Sequence, residues 1–307
     1  MKILHTVEEV REWRNNVITN GGGGGSSVGF VATMGCLHEG HKSLISQSLK
    51  DNEFTVVSIF VNPSQFAPTE DLDKYPRTMD EDITMLVSLG VNILFAPNAH
   101  VMYPQGIPLN VEEQRGPFVT VLGLSEMLEG KTRPNFFRGV ATVVMKLLNI
   151  VSPNVAYFGQ KDIQQFIVLD TMCKELFVNT KLVMMPIIRD EKSGLALSSR
   201  NKYLCEESLK IASNIYRGLK EGQLHVGRSR EDIMKSIEDV WQPFIDSGDF
   251  EVDYISIADF KTLKEVDTVP TRTTTTQTPN VVLSCAIYLK DRANSNTVVR
   301  LIDNILI

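Results

Sequence analysis

Residues 28–50 read "VGFVATMGCLHEGHKSLISQSLK", and this stretch decides the fold class. It opens with an apolar run, residues 28–33, of the kind found in strands that are buried on both faces. Leu44, Ile45 and Leu49 near its end follow the period of a helix. Between these segments lie His38 and His41, two of the 5 histidines in 307 residues. The stretch therefore predicts a buried strand, a turn that carries two histidines, and a helix.

The same alternation of apolar runs and helical patterns continues along the first half of the chain. Further apolar runs lie at residues 54–61, 92–97, 155–158 and 181–188. Strands that are apolar on both faces and separated by helices indicate a parallel sheet covered on each side. The pattern predicts an α/β fold, with a Rossmann-like doubly wound parallel sheet in an N-terminal domain over residues 1–187.

The pattern changes after this first domain. Helical patterns are followed by apolar stretches, with the helices at 206–221 and 229–246 and the strands at 251–260, 280–289 and 296–306. These elements predict a smaller α+β C-terminal domain over residues 188–307, acting as a lid on the first. Two low-complexity stretches, 20–27 and 271–278, are predicted to be exposed loops. The glycine run lacks the Gly-Lys-Ser/Thr ending of a phosphate-binding loop.

Composition argues against several classes of function. The net charge of −6 disfavours nucleic-acid binding, which needs a basic face. No run approaches 18 apolar residues, so no membrane span is expected, and the first residues lack the apolar core of a signal peptide. The 4 cysteines are far apart, without a zinc-binding pair or a disulfide framework. We therefore expect reduced thiols and a cytoplasmic location.

Polar residues follow four of the predicted strands, at the edge where ligands bind in open α/β sheets. These segments are residues 34–41, 62–66, 159–166 and 195–201. His38 and His41 lie at a helix start, where backbone N–H groups and the helix dipole attract phosphate. Gly40 leaves room for a flat ring. A nucleotide fits both features, whereas a metal site would need further ligands that are not evident. A helix cap with two surface histidines is the structural alternative.

Six blocks of sequence carry a resemblance to a known family. In chain order they are "TMGCLHEGH" (33–41), "SIFVNPSQF" (58–66), "KYPRTMDED" (74–82), "FFRGVATVV" (136–144), "YFGQKDIQQF" (157–166) and "LALSSRNKYL" (195–204). Together they resemble the pantothenate synthetases, the ATP-dependent pantoate–β-alanine ligases. His-x-Gly-His alone would indicate only the wider nucleotidyltransferase superfamily.

The resemblance implies an activity and a set of partners. The family ligates (R)-pantoate and β-alanine to pantothenate through a pantoyl adenylate, releasing AMP and pyrophosphate. It uses ATP as co-substrate with Mg²⁺, and its members are usually homodimers. The implied partners are therefore small molecules and a second copy of the chain, with no nucleic acid and no membrane.

The resemblance also implies the site residues. His41 matches the catalytic proton donor, and His38, Lys161 and Arg200 are expected to assist by neutralising phosphate charge. Positions implied to bind ATP are Met34, Gly35, Gly40, His41, Gly159, Gln160, Lys161, Asp162, Ile188, Leu197, Ser198, Ser199 and Arg200. Positions implied to hold pantoate or to lie in the same cleft are Gln65, Gln165, Asn62 and Arg133. Asp82 lies in the acidic stretch that the family associates with Mg²⁺.

Four positions depart from the family pattern. Ala32 stands where proline is usual, Gln160 where glutamate is frequent, and Leu197 where methionine is frequent. Leucine for methionine is nearly neutral in volume. Phe136 replaces a histidine, which removes a polar group from the predicted cleft and puts any catalytic role at that position in doubt.

Two other functions are compatible with parts of the pattern. A different small-molecule adenylyltransferase would keep the histidines but would not require the Gln65 and Gln165 pair. A nucleotide-binding module without catalysis would not require Lys161, His41 and Arg200 together. Taken singly, several candidates also have structural readings: Lys161 and Asp162 as a surface ion pair, residues 198–200 as a turn, Gln65 as a loop cap, and residues 80–82 as a solvated helix start.

Overall fold

The computed structural model describes residues 1–20, 26–66, 72, 75–269 and 280–307. Residues 21–25 of the predicted glycine-rich loop and all of the predicted loop 271–278 lie outside that range. Within it, two compact units are present. One consists of Met1–Gly159 with Gln165–Met185, and the other of Gln160–Gln164 with Pro186–Ile307. The assignment of ATP and pantoate binding to 1–187 and of a lid to 188–307 stays a prediction.

The first unit contains a six-stranded parallel sheet. Its strands are β1 (Lys2–Leu4), β2 (Val28–Thr33), β3 (Phe54–Ile59), β4 (Ile93–Phe95), β5 (Val155–Gly159) and β6 (Lys181–Met185). Its helices are α1 (Val7–Asn20), α2 (Glu39–Asp51), α3 (Met79–Leu89), α4 (Ala99–Met102), α5 (Glu129–Thr132), α6 (Phe136–Val151) and α7 (Ile163–Glu175), the first turn of α7 belonging to the second unit. The fold-class prediction is confirmed.

The order of the strands explains where a ligand site belongs. The sheet runs β1-β4-β3-β2-β5-β6, so successive strands proceed outward from β2 in one direction and then from β5 in the other. A reversal of this kind opens a crevice beyond the carboxyl ends of the strands. The two strands that flank the reversal are β2, which the histidine turn follows, and β5, which ends at Gly159. Both predicted segments therefore leave the sheet at the switch point.

Apolar side chains from α2 and α3 form the core on one face of this sheet. Leu44 and Ile45 of α2 and Leu86 of α3 cluster with Val31 of β2 and Val57 of β3. Val31 and Val57 point to this face of the sheet, and their neighbours along each strand point to the other face, as the two-residue period of a strand requires. Burial on both faces is what the continuous apolar runs predicted.

The second unit is built on a three-stranded antiparallel sheet of order β7-β8-β9. Its elements are α8 (Glu206–Leu224), α9 (Arg230–Asp246), β7 (Phe250–Asp259), β8 (Val281–Lys290) and β9 (Val298–Leu306). Trp241 of α9 is fully buried, and its indole N–H donates to the Asn214 carbonyl of α8 at 2.8 Å. Gly218 allows this approach, because a Cβ there would lie 2.1 Å from the Trp241 Nε1.

Candidate active site

The turn between β2 and α2 is held by a buried carboxylate. Gly35 and Cys36 adopt positive φ angles of 81° and 52°, which turn the chain sharply after the strand. The Asp82 carboxylate, 3% exposed, accepts the N–H of Cys36 at 2.9 Å and that of Leu37 at 2.8 Å. The Thr78 hydroxyl donates to it as well, at 3.2 Å. Asp82, predicted as a metal residue, thus shapes the histidine turn.

Asp82→Asn is expected to lower the free energy of unfolding by about 2 kcal/mol. An amide has an acceptor oxygen at one end only, so one of the two backbone N–H groups would lose its partner. Chemical denaturation measures this loss. Asp80→Asn is the matched control, since Asp80 is exposed on the same helix turn and its change should cost less than about 0.5 kcal/mol. Equal stability of the two variants would contradict this role of Asp82.

The two histidines form a reciprocal cap at the start of α2. The Gly40 N–H donates to the Nδ1 of His38 at 3.1 Å, and the His38 N–H donates to the Nδ1 of His41 at 3.4 Å. The ring centroids are 4.2 Å apart. Because each Nδ1 accepts a hydrogen bond, the proton of each neutral ring resides on Nε2. The helix-cap alternative and the phosphate-donor prediction are therefore compatible: Nδ1 serves the cap, and Nε2 is an N–H donor.

Predicted ATP and pantoate residues lie in contact after β2 and β3. The Gln65 side-chain amide N–H group donates to the Met34 sulfur at 3.0 Å, and the Asn62 amide donates to the Gln65 Oε1 at 3.0 Å. The Arg133 guanidinium donates to the Gln65 backbone carbonyl at 3.4 Å. Four candidates on three different segments are thereby joined in one cluster of the first unit.

Phe136, a departure from the family pattern, has a role beside this cluster. The Arg133 guanidinium carbon lies 3.9 Å from the centroid of the Phe136 ring. A cation held over an aromatic face gains about 0.5–2 kcal/mol. The phenyl ring thus fixes Arg133 by stacking, although it supplies no polar group for catalysis.

Lys161 lies on a single-turn 3-10 helix of the second unit, Gln160–Asp162. Asn304 of β9 holds this turn, its side-chain amide donating to the carbonyls of Gln160 at 2.9 Å and of Lys161 at 3.1 Å. The Gln160 amide donates back to the Asn304 Oδ1 at 3.1 Å. An ionised glutamate, the residue frequent in the family at this position, has no proton to donate. The glutamine at position 160 therefore allows a bond that glutamate could not make. Lys161 and Asp162 form a long ion pair, 3.8 Å, with Lys161 only 17% exposed.

The other predicted ATP-binding segment of the second unit is a loop that folds back on itself through an isolated bridge. The Leu197 N–H donates to the Ile188 carbonyl at 2.9 Å, next to a bridge between Arg189 and Ala196. The Ser198 hydroxyl accepts the Arg200 N–H at 3.2 Å and caps a 3-10 helix, Ser199–Tyr203. Arg200 is exposed. The turn alternative is correct as local structure, and it presents the Arg200 side chain to solvent.

Arg189 and Asp303 are site-supporting residues that the sequence did not indicate. Asp303, 3% exposed, receives both ends of the Arg189 guanidinium at 2.6 and 2.7 Å. Burial raises the pKa of Asp303, and the Arg189 charge opposes that rise. Asp303 precedes Asn304, so this pair anchors the segment that holds the Lys161 turn. The residues are 114 positions apart, and no local pattern joins them.

Two candidates remain outside these clusters. Gln165 is half-buried on α7, and none of the hydrogen bonds within the described residues joins it to Gln65. Gly159 ends β5, and a Cβ there would meet no atom within 4 Å, so the space beside it is open. No group of three or more His, Cys, Asp or Glu side chains suited to a metal occurs in the described ranges. All four cysteines carry reduced thiols.

Fold and site together define an α/β protein of Rossmann type, with a His-x-Gly-His turn at the switch point of its parallel sheet. Residues 2–306 match the family model described as pantoate-beta-alanine ligase. The chain therefore belongs to the pantoate–β-alanine ligase family. Among the helices described, none is long and apolar enough to cross a bilayer.

Relatives and solved structures agree with this assignment over the full length. The chain is 64% identical to the pantoate–beta-alanine ligase of Saccharomyces cerevisiae, with 100% of both chains covered. It is similar to a crystal structure of pantothenate synthetase from Thermus thermophilus, with a TM-score of 0.84, 35% identity and coverage of 100% and 99%. A second similar structure is the Francisella tularensis ligase complexed with "Beta-gamma ATP" and β-alanine, with a TM-score of 0.74, 34% identity and coverage of 100% and 97%.

Proposed function

We propose that this chain joins (R)-pantoate to β-alanine through a pantoyl adenylate at the expense of ATP. The observation that carries the proposal is the histidine pair at the start of α2, whose Nδ1 atoms accept backbone N–H groups. That arrangement makes each Nε2–H a donor at the amino end of a helix, where phosphate is favoured. The β-alanine-bound and nucleotide-bound homologue from Francisella tularensis supports the same ligands here.

In the first step, a pantoate carboxylate oxygen forms a bond to the α-phosphorus of ATP. The bond from that phosphorus to the bridging oxygen breaks, and pyrophosphate leaves with the electron pair. Pantoate is already ionised at pH 7, so this step needs positioning and charge neutralisation rather than a base. We assign charge neutralisation to Lys161 and Arg200, and hydrogen-bond donation through Nε2–H to His38 and His41, with His41 as the donor aimed at the reacting phosphate oxygens.

The neutral amides of Gln65 and Gln165 are proposed to orient pantoate without adding competing charge, with Asn62 and Arg133 beside the first of them. In the second step, the β-alanine amine attacks the acyl carbon, the bond to the AMP oxygen breaks, and AMP leaves. The proton lost from nitrogen passes to water. The ATP contacts proposed for the remaining positions are those of Met34, Gly35, Gly40, Gly159, Gln160, Asp162, Ile188, Leu197, Ser198 and Ser199.

The described residues fit a Mg²⁺ that arrives with ATP. Mg²⁺ commonly takes its ligands from substrate phosphates, water and one or two carboxylates. Asp82 can supply at most a remaining lone pair, since both of its oxygens accept backbone N–H groups. When bound, the ion would neutralise phosphate charge; we propose Asp82 as its neighbour on the protein.

A homodimer and a cytoplasmic location are also proposed. The homodimer rests on the family resemblance. Light scattering of the purified protein would test it, since a dimer has the mass of two chains and a monomer that of one. The second rests on the four reduced thiols, which suit a reducing compartment. Imaging of a fluorescent fusion of the chain would test it.

Exchange of labelled pyrophosphate into ATP tests the proposed reaction. With Mg²⁺ and pantoate but no β-alanine, label should enter ATP, because the adenylate forms reversibly. Omitting pantoate should stop the exchange, and adding β-alanine should convert the adenylate to AMP and pantothenate. Exchange that ignores pantoate or requires a nucleotide monophosphate would support a different adenylyltransferase. Binding of ATP with no exchange under any condition would support a non-catalytic module.

A further inference from the structure

A buried hydrogen-bond network behind Gln65 determines which end of its amide points away from the protein. Asn62 is at the centre of this network and is 1% exposed. Its Nδ2 donates to the Gly139 backbone carbonyl at 3.2 Å, and its Oδ1 accepts the Ser64 backbone N–H at 3.4 Å. A carbonyl can only accept and a backbone N–H can only donate. The orientation of the Asn62 amide is therefore determined by its partners.

The orientation of Asn62 determines that of Gln65. The second hydrogen of the Asn62 Nδ2 goes to the Gln65 Oε1 at 3.0 Å, so the oxygen of Gln65 faces the protein. Its nitrogen faces the Met34 sulfur at 3.0 Å, a weak acceptor that engages one of two N–H groups. Asn62 thus occupies one lone pair of the Gln65 oxygen and turns that end of the amide toward itself, which leaves the N–H end as the part of Gln65 directed away from Asn62.

Tyr103 completes the network from the far side. Its hydroxyl donates to the Asn62 Oδ1 at 2.8 Å and lies 2.9 Å from the Ser64 Oγ. Burial raises the pKa of Tyr103, so the hydroxyl keeps the proton that it donates. Together with the Ser64 N–H at 3.4 Å and the Ser64 hydroxyl at 3.0 Å, this bond gives the Asn62 oxygen three donors and leaves it no capacity for Gln65.

Lys146 of α6 fixes the position of the Tyr103 ring. Its ammonium lies 3.9 Å from the ring centroid and donates to the Met102 carbonyl at 2.7 Å, directly before Tyr103 in the chain. Both contacts restrain the phenol, one through its face and one through its backbone. The lysine belongs to none of the predicted site segments.

We propose that Tyr103 and Lys146 are positioning residues that act through Asn62, so that Gln65 presents an N–H donor and selects a carboxylate oxygen of the substrate. This inference rests on the proposed function, in which Gln65 holds pantoate. It adds a determinant of specificity: an acid is favoured because the buried network turns the N–H end of Gln65, rather than its oxygen, toward the substrate.

The first test is Tyr103→Phe, which removes only the hydroxyl. We expect the KM for pantoate to rise about fivefold, as for the loss of one hydrogen bond, with kcat and the KM for ATP within about twofold of wild type. Lys146→Met should raise the same KM, and the double variant should be less than additive because both residues act through one path. Tyr288→Phe, a ring in the second unit, is the control. An unchanged KM for pantoate would overturn the proposal.

The second test inverts the network with Asn62→Asp. A carboxylate cannot donate to the Gln65 Oε1, so the Gln65 amide should turn and offer its oxygen to the ligand. Two neutral inhibitors report this, methyl pantoate, which offers only acceptors at the acid position, and pantoamide, which also donates there. Their affinity ratio should shift about fivefold or more toward pantoamide. Because both are uncharged, the new charge at position 62 does not by itself produce the shift.

An unchanged ratio in folded Asn62→Asp protein, checked by circular dichroism, would overturn the proposal. If that variant does not fold, the Tyr103→Phe result decides alone. Failure of the proposed function is recognised separately, because wild-type protein would then show no pantoate-dependent exchange. Normal wild-type exchange with no response to either variant counts against the network only.

Discussion

His41→Ala is expected to slow pyrophosphate exchange by roughly a hundredfold or more while leaving the protein folded. A donor aimed at developing phosphate charge contributes about 3–4 kcal/mol to lowering the barrier. The structural contribution of His41 is smaller, because its Nδ1 accepts a single long hydrogen bond of 3.4 Å in a half-buried position. Exchange rates and a thermal melt of the same preparation measure the two effects separately.

His100→Ala is the matched control for this substitution, because His100 is an exposed histidine on α4. Its exchange rate should equal that of wild type. Near-normal exchange in His41→Ala would refute the assignment of His41 as the donor to the reacting phosphate. A rate loss accompanied by an equal loss in the control would indicate damage to the preparation rather than to the site.

Arg189→Met should reduce the free energy of unfolding by roughly 3–5 kcal/mol, because it leaves the buried Asp303 carboxylate without its cation. Asp303 has few alternatives, since among the residues that the structure describes its oxygens otherwise accept only the Asn304 N–H, at 2.7 Å. Urea denaturation measures the loss. The loss should shrink as the pH falls, because without Arg189 burial raises the pKa of Asp303 further, and the folded variant then takes up a proton before the unfolded chain does.

The double variant Arg189→Met/Asp303→Leu separates charge from packing. Replacing a buried ion pair by apolar residues of similar volume is often neutral, so most of the lost stability should return. A double variant as unstable as Arg189→Met would show that the loss comes from packing, including the stacking of Arg189 on Tyr216 at 3.6 Å. A pH-independent loss in the single variant would argue against the charge in the same way.

The sequence predicted the sheet because its strands are buried on both faces. The apolar runs at 28–33 and 155–158 match β2 and β5 closely, and the apolar stretches predicted as antiparallel strands match β7, β8 and β9. Strand ends were less accurate: β3 ends at Ile59 and β6 at Met185, before the apolar run stops. β1 was missed, because its two apolar residues, Ile3 and Leu4, lie between Lys2 and His5 and form no apolar run.

The candidate site was predictable in position and less so in its connections. Residues after strand ends are identified from local sequence, as the cluster of Met34 with Gln65 illustrates. The bonds that orient them join distant positions: Asp82 reaches Cys36 across 46 residues, and Tyr103 reaches Asn62 across 41. Such pairs depend on the packed tertiary structure, which a single sequence does not reveal.

The hold of Asn304 on the Lys161 turn has a consequence for protein synthesis. Gln160 and Asn304 are 144 residues apart, so the turn is made long before its partner strand. At roughly 5–20 residues per second, the ribosome needs about 7–30 seconds to cover that distance. During this interval the turn lacks the amide that binds its carbonyls, whereas the histidine cap of α2 already has all of its partners. In a nascent chain, of the groups proposed to bind phosphate, the histidine cap should therefore form before the lysine turn.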